Sequence, residues 1–253
     1  MASAMIGALL SAGQAPGDIA VSDKNTSALE QHAKNGLEVF ETNSPVCGAE
    51  YIFLAVKPQH LTEVLSEIGG LVAGKTVVSI VAGVKTEKIG AYLRDASCIV
   101  RVMPNTPLLV GRGAVAIAFG NASDRVKAEI TGLFASRGEV VCVEEELLDA
   151  VTALSGSGPA YFYRVAAILA QSAEKLGLDK DTALRLSVAT MAGAAEMMKV
   201  SGKTPEELIR DVSSPGGTTL AALSAFDGAG LDGALECGVN AAYTRSLELS
   251  RGE

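Results

Sequence analysis

Several residue types that often carry catalysis are scarce in this chain. There is no tryptophan, aromatic residues make up 4% of the chain, and the two histidines, His32 and His60, lie far apart in the sequence. The four cysteines are scattered without the spacing of metal ligands: Cys47, Cys98, Cys142 and Cys237. These shortages disfavour a histidine-based metal site and a Ser-His-Asp triad, so no metal is expected. They also favour cysteines that are small buried residues in a reducing compartment.

Positive charge and long apolar runs are lacking as well. The 21 basic residues face 29 acidic ones, and the net charge of -8 disfavours nucleic acid as the main partner. No apolar run reaches the roughly 18 residues that a membrane span needs. The apolar start, Met1–Leu10, has no positive charge ahead of it, whereas a secretory signal would. We therefore expect a cytoplasmic protein with neither nucleic acid nor membrane as a partner.

The chain does have the material for a large folded core. Its 253 residues, 48% hydrophobic, suffice for one large or two ordinary domains. Up to Cys142, short β-branched runs alternate with helical patterns, which predicts an α/β fold with a mostly parallel, doubly wound sheet. The predicted strands are Ile19–Ser22, Tyr51–Val56, Thr76–Val81, Cys98–Met103, Ala114–Phe119 and Val140–Val143. Ser123–Arg137 predicts a helix capped by Ser123 or Asp124 and ended by Gly138.

Beyond Cys142 the patterns are helical only. Helices are predicted at Glu144–Leu154, Pro159–Leu176, Asp181–Val200 and Leu231–Leu249, with an interruption at Ser155–Pro159. The acidic run 144–146 indicates a charged helix start. The small residues of 184–198 permit close helix packing, and this helix is apolar on more sides than one small domain covers, which favours a dimer. We place the domain boundary near Val151, with residues 1–150 as the α/β domain and 151–253 as a helical domain.

Polar or glycine-containing segments follow four of the predicted strands. Ligands of doubly wound sheets bind at the carboxyl ends of strands, so these segments are candidates for a nucleotide site, although each could also be a simple turn. Asp23 would suit the ribose 2′-hydroxyl of NAD, whereas Lys24 would suit the 2′-phosphate of NADP, and the choice stays open. The other three segments are Lys57-Pro58, Ala82-Gly83-Val84 and Pro104-Asn105-Thr106-Pro107.

Such a nucleotide domain ordinarily opens with a strand and a Gly-x-Gly-x-x-Gly turn. This chain begins instead within a predicted helix, Met1–Leu10. The expectation is either a truncated start or a site without the usual pyrophosphate cradle.

The segment Val212–Thr219 reads Val-Ser-Ser-Pro-Gly-Gly-Thr-Thr. It follows a short helix start in which Thr204, Pro205 and Glu207 form a capping pattern, and it precedes a helix predicted to begin near Leu220. Backbone N–H groups at a helix N-terminus, close to glycines and hydroxyls, can bind a carboxylate or phosphate. The alternative is an ordinary helix–helix turn with good capping residues.

These motifs together resemble the pyrroline-5-carboxylate reductase family over essentially the whole chain. The resemblance rests on five stretches: Ala55–Pro58, Ala82–Val84, Met103–Pro107, Asp149–Tyr161 and Val212–Thr219. It implies a Rossmann-like domain, here without its first strand, followed by a helical domain that forms a homodimer, with decamers as a further assembly. It also implies reduction of 1-pyrroline-5-carboxylate to L-proline, with NADP as the cofactor and NAD as a possibility.

The resemblance also implies roles for individual residues. Asn43 and the turn Ala55, Val56, Lys57 and Pro58 would border the adenosine half of the cofactor, whereas Ala82, Gly83 and Asn105 would border the nicotinamide. The substrate carboxylate would be bound by Ser213, Ser214, Gly216, Gly217, Thr218 and Thr219. Thr219 would hydrogen-bond the ring nitrogen and is the catalytic candidate.

Two other functions remain open from the sequence. A β-hydroxyacid dehydrogenase-like reductase would be expected to use a lysine in the helical domain, but 155–169 contains none and the first is Lys175. A non-catalytic dimeric protein that binds small molecules would be consistent with the missing phosphate turn.

Overall fold

The computed structural model describes residues 1–251 and divides them into two compact units. Unit 1 comprises Met1–Ser157 together with the described residues from Ala242 onward, and unit 2 comprises Gly158–Ala241. Unit 2 therefore begins seven residues after the predicted boundary at Val151, and the end of the last helix is grouped with unit 1.

The secondary structure alternates as predicted in the first half and is helical in the second. The strands are β1 (Ala20–Ser22), β2 (Glu38–Phe40), β3 (Tyr51–Leu54), β4 (Thr76–Ser79), β5 (Cys98–Pro104), β6 (Gly113–Ala118) and β7 (Gly138–Cys142). The helices are α1 (Ala2–Ser11), α2 (Thr26–Lys34), α3 (Pro58–Ile68), α4 (Thr86–Tyr92), α5 (Asp124–Ala135), α6 (Leu148–Val151), α7 (Gly158–Lys175), α8 (Lys180–Val200), α9 (Pro205–Asp211), α10 (Thr218–Gly228) and α11 (Leu231–Arg251).

The strands form two sheets. Five lie in the order β3-β4-β5-β6-β7, parallel except for the antiparallel pair β5–β6, and β1 pairs in parallel with β2 in a separate sheet. The mostly parallel sheet is thus confirmed. β2 was missed because its three residues begin with the exposed Glu38 and none of them is buried, so they form no apolar run. The predicted strands Tyr51–Val56 and Thr76–Val81 both end two residues early, where the chain turns out of the sheet at its carboxyl edge.

Helices cover both faces of the five-stranded sheet. All four residues of β4 are buried, and successive side chains point to opposite faces. Val78 packs in one cluster with residues of α1 and α5, whereas Val77 packs in another with residues of α3 and α4. This three-layer arrangement explains why all four residues of β4 are buried, Thr76 and Ser79 included, and confirms the doubly wound fold.

The segment that leads into unit 2 differs from the predicted helix Glu144–Leu154. A short 3-10 helix (Glu145–Leu147) leads into α6, which continues as a π-helical turn (Thr152–Gly156). The expected interruption at Ser155–Pro159 is therefore limited to Ser157, and α7 starts at Gly158. A π-helical turn is rare and is often found next to a functional site.

Unit 2 is built on the long helices α7 and α8, which pack against each other and are joined by a short turn at Gly177, whose φ is +104°. The Ser187 hydroxyl of α8 donates to the Ala166 carbonyl of α7 at 3.1 Å. α9 starts with the predicted capping box, in which the Thr204 hydroxyl and the Glu207 carboxylate each accept from the other residue's backbone N–H. Neither α9 nor α10 contains a buried residue.

Candidate functional site

In unit 1, a cavity of about 1620 Å³ lies between the open edges of β1 and β3. Residues 18–25 line one side, residues 49–57 line the other, and α1 contributes Ala2, Met5, Ile6 and Leu9. Within the described chain, each of these strands has a strand partner on only one edge. The cavity thus occupies the place in the sheet order where a further strand would connect the two sheets.

The predicted adenosine-side residues lie together around this cavity. Asp23, Lys24 and Asn43 all line it. The Asp23 carboxylate accepts from the Asn25 backbone N–H at 2.9 Å and shapes the turn into α2. The Lys24 ammonium binds the Glu63 carboxylate at 2.7 Å, and that hydrogen bond and charge raise the pKa of Lys24. Because both partners are largely exposed, this pair adds little stability and leaves Lys24 free to change partner.

Asn43 is held more firmly. Its side-chain oxygen accepts from the Ser22 hydroxyl at 2.8 Å, and its side-chain nitrogen donates to Glu67 at 2.6 Å. The Asn43 backbone N–H donates to the same carboxylate at 3.0 Å. Asn43 therefore joins the end of β1 to α3, the helix that follows β3.

The turn after β3 is partly as predicted. Val56 and Lys57 line the cavity together with Ala55, and Lys57 is the residue before α3, which begins at Pro58. Proline suits the first helical position because its missing N–H would have no intrahelical partner. The predicted segment Lys57-Pro58 therefore follows β3 at the carboxyl edge of the sheet, where the structure also places the start of α3.

The turn after β4 is closely covered. Gly83 has a φ of +70°, which favours glycine, and a Cβ there would lie 3.1 Å from both Leu249 Cβ and the Ser250 backbone nitrogen. The last turns of α11 thus pack directly against the turn Ala82-Gly83-Val84. This contact lies wholly within unit 1, to which the end of α11 belongs.

Asn105 is buried, and both ends of its amide are engaged. Its oxygen accepts from the Ala114 backbone N–H at 2.9 Å, and its nitrogen donates to the Ser155 carbonyl at 3.2 Å. Gly156 comes so close to β5 that a Cβ would lie 2.6 Å from Met103 Cε. Asn105 therefore ties the end of β5 to the π-helical turn, and its place beside the nicotinamide stays a prediction.

Two acidic residues that the sequence reasoning did not select lie near these strand ends. Glu145, interpreted as part of a charged helix start, instead binds Thr86 and the buried Arg101. Asp149 is 8% exposed and accepts from the Ser246 hydroxyl at 2.6 Å. The sequence pattern could not predict these contacts, because the partners are 44 to 97 residues away along the chain.

In unit 2, the segment Val212–Thr219 forms a tight turn that leads into α10. The Gly217 N–H donates to the Ser214 carbonyl at 2.9 Å, and Gly216, after Pro215, has a φ of +71°. Proline followed by a glycine with positive φ is typical of a type II turn. A Cβ on Gly217 would lie 2.5 Å from the Ser214 hydroxyl and 3.0 Å from the Ser214 carbonyl oxygen, so a side chain there would displace the turn.

This turn leaves several hydrogen-bond donors available. Gly217 is the residue before α10, no side chain caps the helix, and its first turn carries no acidic residue. Thr218 and Thr219 are the first two helical residues, Thr219 being half-buried, and Ser214 is exposed. The Ser213 hydroxyl is buried without a hydrogen-bond partner. Uncapped N–H groups at the positive end of a helix, close to hydroxyl groups, form a site suited to a carboxylate.

The described residues show neither a metal site nor a membrane helix. Residues 1–251 contain no group of three or more His, Cys, Asp or Glu side chains that could hold a metal ion. No helix in that range is long and apolar enough to cross a membrane.

Comparisons with known proteins match both parts of the chain. A model described as pyrroline-5-carboxylate reductase dimerisation matches residues 145–249, and one described as NADP oxidoreductase, coenzyme F420-dependent, matches residues 1–83. The pyrroline-5-carboxylate reductase of Corynebacterium melassecola is 40% identical, covering 98% of this chain and 94% of that protein. The enzyme of Pseudomonas aeruginosa is 38% identical, covering 99% and 93%.

Solved structures agree with these sequence relatives. A pyrroline-5-carboxylate reductase from Coxiella burnetii superposes with a TM-score of 0.90 and 32% identity, covering 98% of this chain and 94% of that one. A Plasmodium falciparum pyrroline carboxylate reductase with NADP bound gives a TM-score of 0.86 and 28% identity over the same shares. The Corynebacterium melassecola relative is 40% identical and matches 98% of the chain, and the Coxiella burnetii structure has the same fold. The chain therefore belongs to the pyrroline-5-carboxylate reductase family.

Proposed function

We propose that this chain reduces 1-pyrroline-5-carboxylate to L-proline by hydride transfer from NADPH. The observation that carries the proposal is the turn Ser213–Thr219, where uncapped helix N–H groups lie beside free hydroxyls and an unpartnered Ser213. The substrate is a small cyclic imine with one carboxylate, and these groups match that carboxylate. The related reductases support the same substrate.

The reaction needs little acid–base machinery from the protein. Hydride adds most readily to a C=N bond whose nitrogen is protonated, because the positive charge is neutralised as the C–H bond forms. The bound nicotinamide would supply the hydride. Thr219 would donate to the lone pair that develops on the ring nitrogen as hydride arrives, or relay a proton there, while the N–H groups of the turn hold the carboxylate. Positioning of this kind can contribute on the order of 7–11 kcal/mol to lowering the barrier.

The residues around unit 1's cavity fit the adenosine half of a dinucleotide. Lys24 is an exposed ammonium at the end of β1, and Asp23 and Asn43 offer polar atoms beside it. We assign Lys24 to the 2′-phosphate of NADP, which agrees with the NADP bound in the Plasmodium falciparum enzyme. No side chain caps α1, so its first N–H groups would be available to the pyrophosphate.

A homodimer is part of the proposal. Of the residues of α8, only Ala183 is buried, and the large apolar side chains along it are exposed by about half: Leu184, Leu186, Val188, Met197 and Met198. An apolar surface of this extent is typical of a protein interface. The match to a dimerisation model over residues 145–249 supports a second copy as the partner. Assembly of dimers into decamers stays a prediction.

A cytoplasmic location is the last part of the proposal. All four cysteines are free thiols, including the exposed Cys142 and Cys237. Free cysteines are usual in a reducing compartment.

The test is NADPH oxidation in the presence of pyrroline-5-carboxylate. It would be run on this chain and on a form that carries one apolar strand and a Gly-x-Gly-x-x-Gly turn ahead of Met1, designed to fill the cavity between β1 and β3. Turnover by either form confirms the reductase, and turnover by the extended form alone shows that the cavity must hold a strand before NADPH binds. Two folded forms without turnover would contradict the proposal and favour the non-catalytic binding protein.

A further inference from the structure

Glu145 binds Thr86, which lies just after the turn Ala82–Val84 that follows β4. One Glu145 oxygen accepts from the Thr86 backbone N–H at 2.7 Å, and the other accepts from the Thr86 hydroxyl at 2.7 Å. Arg101, whose side chain is only 7% exposed, binds the same carboxylate at 3.1 Å. Burial would raise the pKa of Glu145, but the bonds from Thr86 and Arg101 outweigh it and lower that pKa. Glu145 is therefore an ionised anchor for the first residue of α4.

Asp149 holds the end of α11, which in turn contacts Gly83 of the same turn. The Asp149 carboxylate accepts from Ser246 at 2.6 Å and from Ser250 at 3.3 Å, which fixes the last turns of α11. Those turns place Leu249 and Ser250 so close to Gly83 that a Cβ there would lie 3.1 Å from both residues. Ser246 is 3% exposed, so this contact is sealed from water.

We propose that Glu145 and Asp149 are positioning residues that hold the turn Ala82–Val84 against the nicotinamide end of the cofactor. The two carboxylates lie four residues apart in one segment and reach the turn by two separate routes. This inference rests on the proposed function, because it needs the nicotinamide at this turn. Neither residue touches the reacting atoms; each acts through the backbone of the turn.

The arrangement also links the turn to the dimerisation region. Glu145, Asp149, Ser246 and Leu249 all fall within the match to the dimerisation model, residues 145–249, yet they hold a turn of the nucleotide-binding part. A displacement of about 1 Å at a remote site can lower a rate about 100-fold, so the turn needs this bracing.

The first experiment compares two ligands. Glu145→Gln is expected to weaken NADPH binding roughly tenfold, because a neutral amide cannot pair with both Thr86 and Arg101. Binding of adenosine 2′,5′-bisphosphate, which contains only the adenosine half, should stay unchanged. Glu146→Gln is the matched control: it removes the same charge one residue away at an exposed position and should affect neither ligand. Equal weakening of both ligands by Glu145→Gln, or of neither, would overturn the proposal.

A second experiment needs no cofactor. Amide hydrogen exchange of the peptide that contains residues 82–86 should become faster in Glu145→Gln and, through α11, in Ser246→Ala, a milder change that keeps the Asp149 charge. Glu146→Gln should exchange as the unmodified chain does. Unchanged exchange in both variants would overturn the bracing of the turn, whether or not the chain turns over substrate. If the exchange rates show that the turn is held as proposed, and the chain binds NADPH without oxidising it, only the proposed reaction is contradicted.

Discussion

The hydroxyl of Thr219 has no competing role in the described structure. It stands in the first turn of α10, half-buried, where no side chain caps the helix. A threonine at this position costs some helix propensity and returns no capping hydrogen bond, so packing alone does not explain it. A hydroxyl of this kind is available to a ligand.

Replacing Thr219 with alanine should lower kcat by roughly 100-fold, the usual effect of removing a proton donor or acceptor. Thr219→Ser keeps the hydroxyl and should retain most of the activity. The measurement is steady-state NADPH oxidation, with size-exclusion chromatography to confirm an unaltered dimer. An undiminished kcat for the alanine variant at saturating substrate would remove Thr219 from the mechanism.

Glu145 predicts a pH dependence of stability. Its pKa is lower in the folded chain than the usual value of 4.5. The folded state is therefore stabilised above pH 4.5, and this contribution is lost as the pH falls through the lowered value. Glu145→Gln should cost about 3 kcal/mol at pH 7, because it leaves the buried Arg101 without its counter-charge. Urea unfolding at pH 7 and pH 4 should show the difference between variant and unmodified chain shrinking in acid; a constant difference would contradict the assignment.

Among the elements, the turn that leads into α10 depends on glycine for two separate reasons. Gly216 supplies a left-handed backbone, whereas Gly217 has an ordinary φ of -77° and is required because Ser214 lies too close. The sequence showed two adjacent glycines but could not separate these reasons, since the second depends on how the turn folds back.

Gly217→Ala should therefore raise the KM for pyrroline-5-carboxylate roughly tenfold or more by displacing the turn, with little effect on the KM for NADPH. Gly228→Ala in the same helix is the matched control, since a Cβ there meets nothing within 4 Å. That control should keep its KM and gain up to about 1 kcal/mol of stability, because alanine is the better helix former. Equal KM values for the two variants would show that the turn does not bind the substrate.

At the scale of the whole molecule, unit 2 leaves many of its own apolar side chains exposed. α7 and α8 pack against each other, but α9 and α10 bury no residue, and Leu186 of α8 is 55% exposed. The sequence predicted that α8 would be covered on more sides than its own domain could manage. In the single chain that coverage is missing, which supports the proposed second copy.

Leu186→Glu should convert the dimer into monomers, because burying an unpaired carboxylate in an apolar interface is costly. Leu71→Glu places the same charge at a residue of unit 1 that is 43% exposed and should leave the dimer intact. Analytical ultracentrifugation distinguishes the two outcomes. A dimeric Leu186→Glu protein would place the interface elsewhere.

The sequence by itself determined the local elements and the family. Among the described residues, apolar periods located six of the seven strands, and the predicted caps Ser123 and Thr204 lie where α5 and α9 begin. These features depend on residues close together in the chain, so they can be recognised in the sequence. The motif Val212–Thr219 is local in the same way.

Tertiary structure decided what depends on distant partners. It alone placed Glu145 on Thr86 and Arg101, tied Asn105 to the π-helical turn, and returned the end of α11 to Gly83. It also left the cavity between β1 and β3, which no single segment reveals. Contacts that join residues dozens of positions apart arise when whole helices and strands pack together, so local sequence patterns do not predict them.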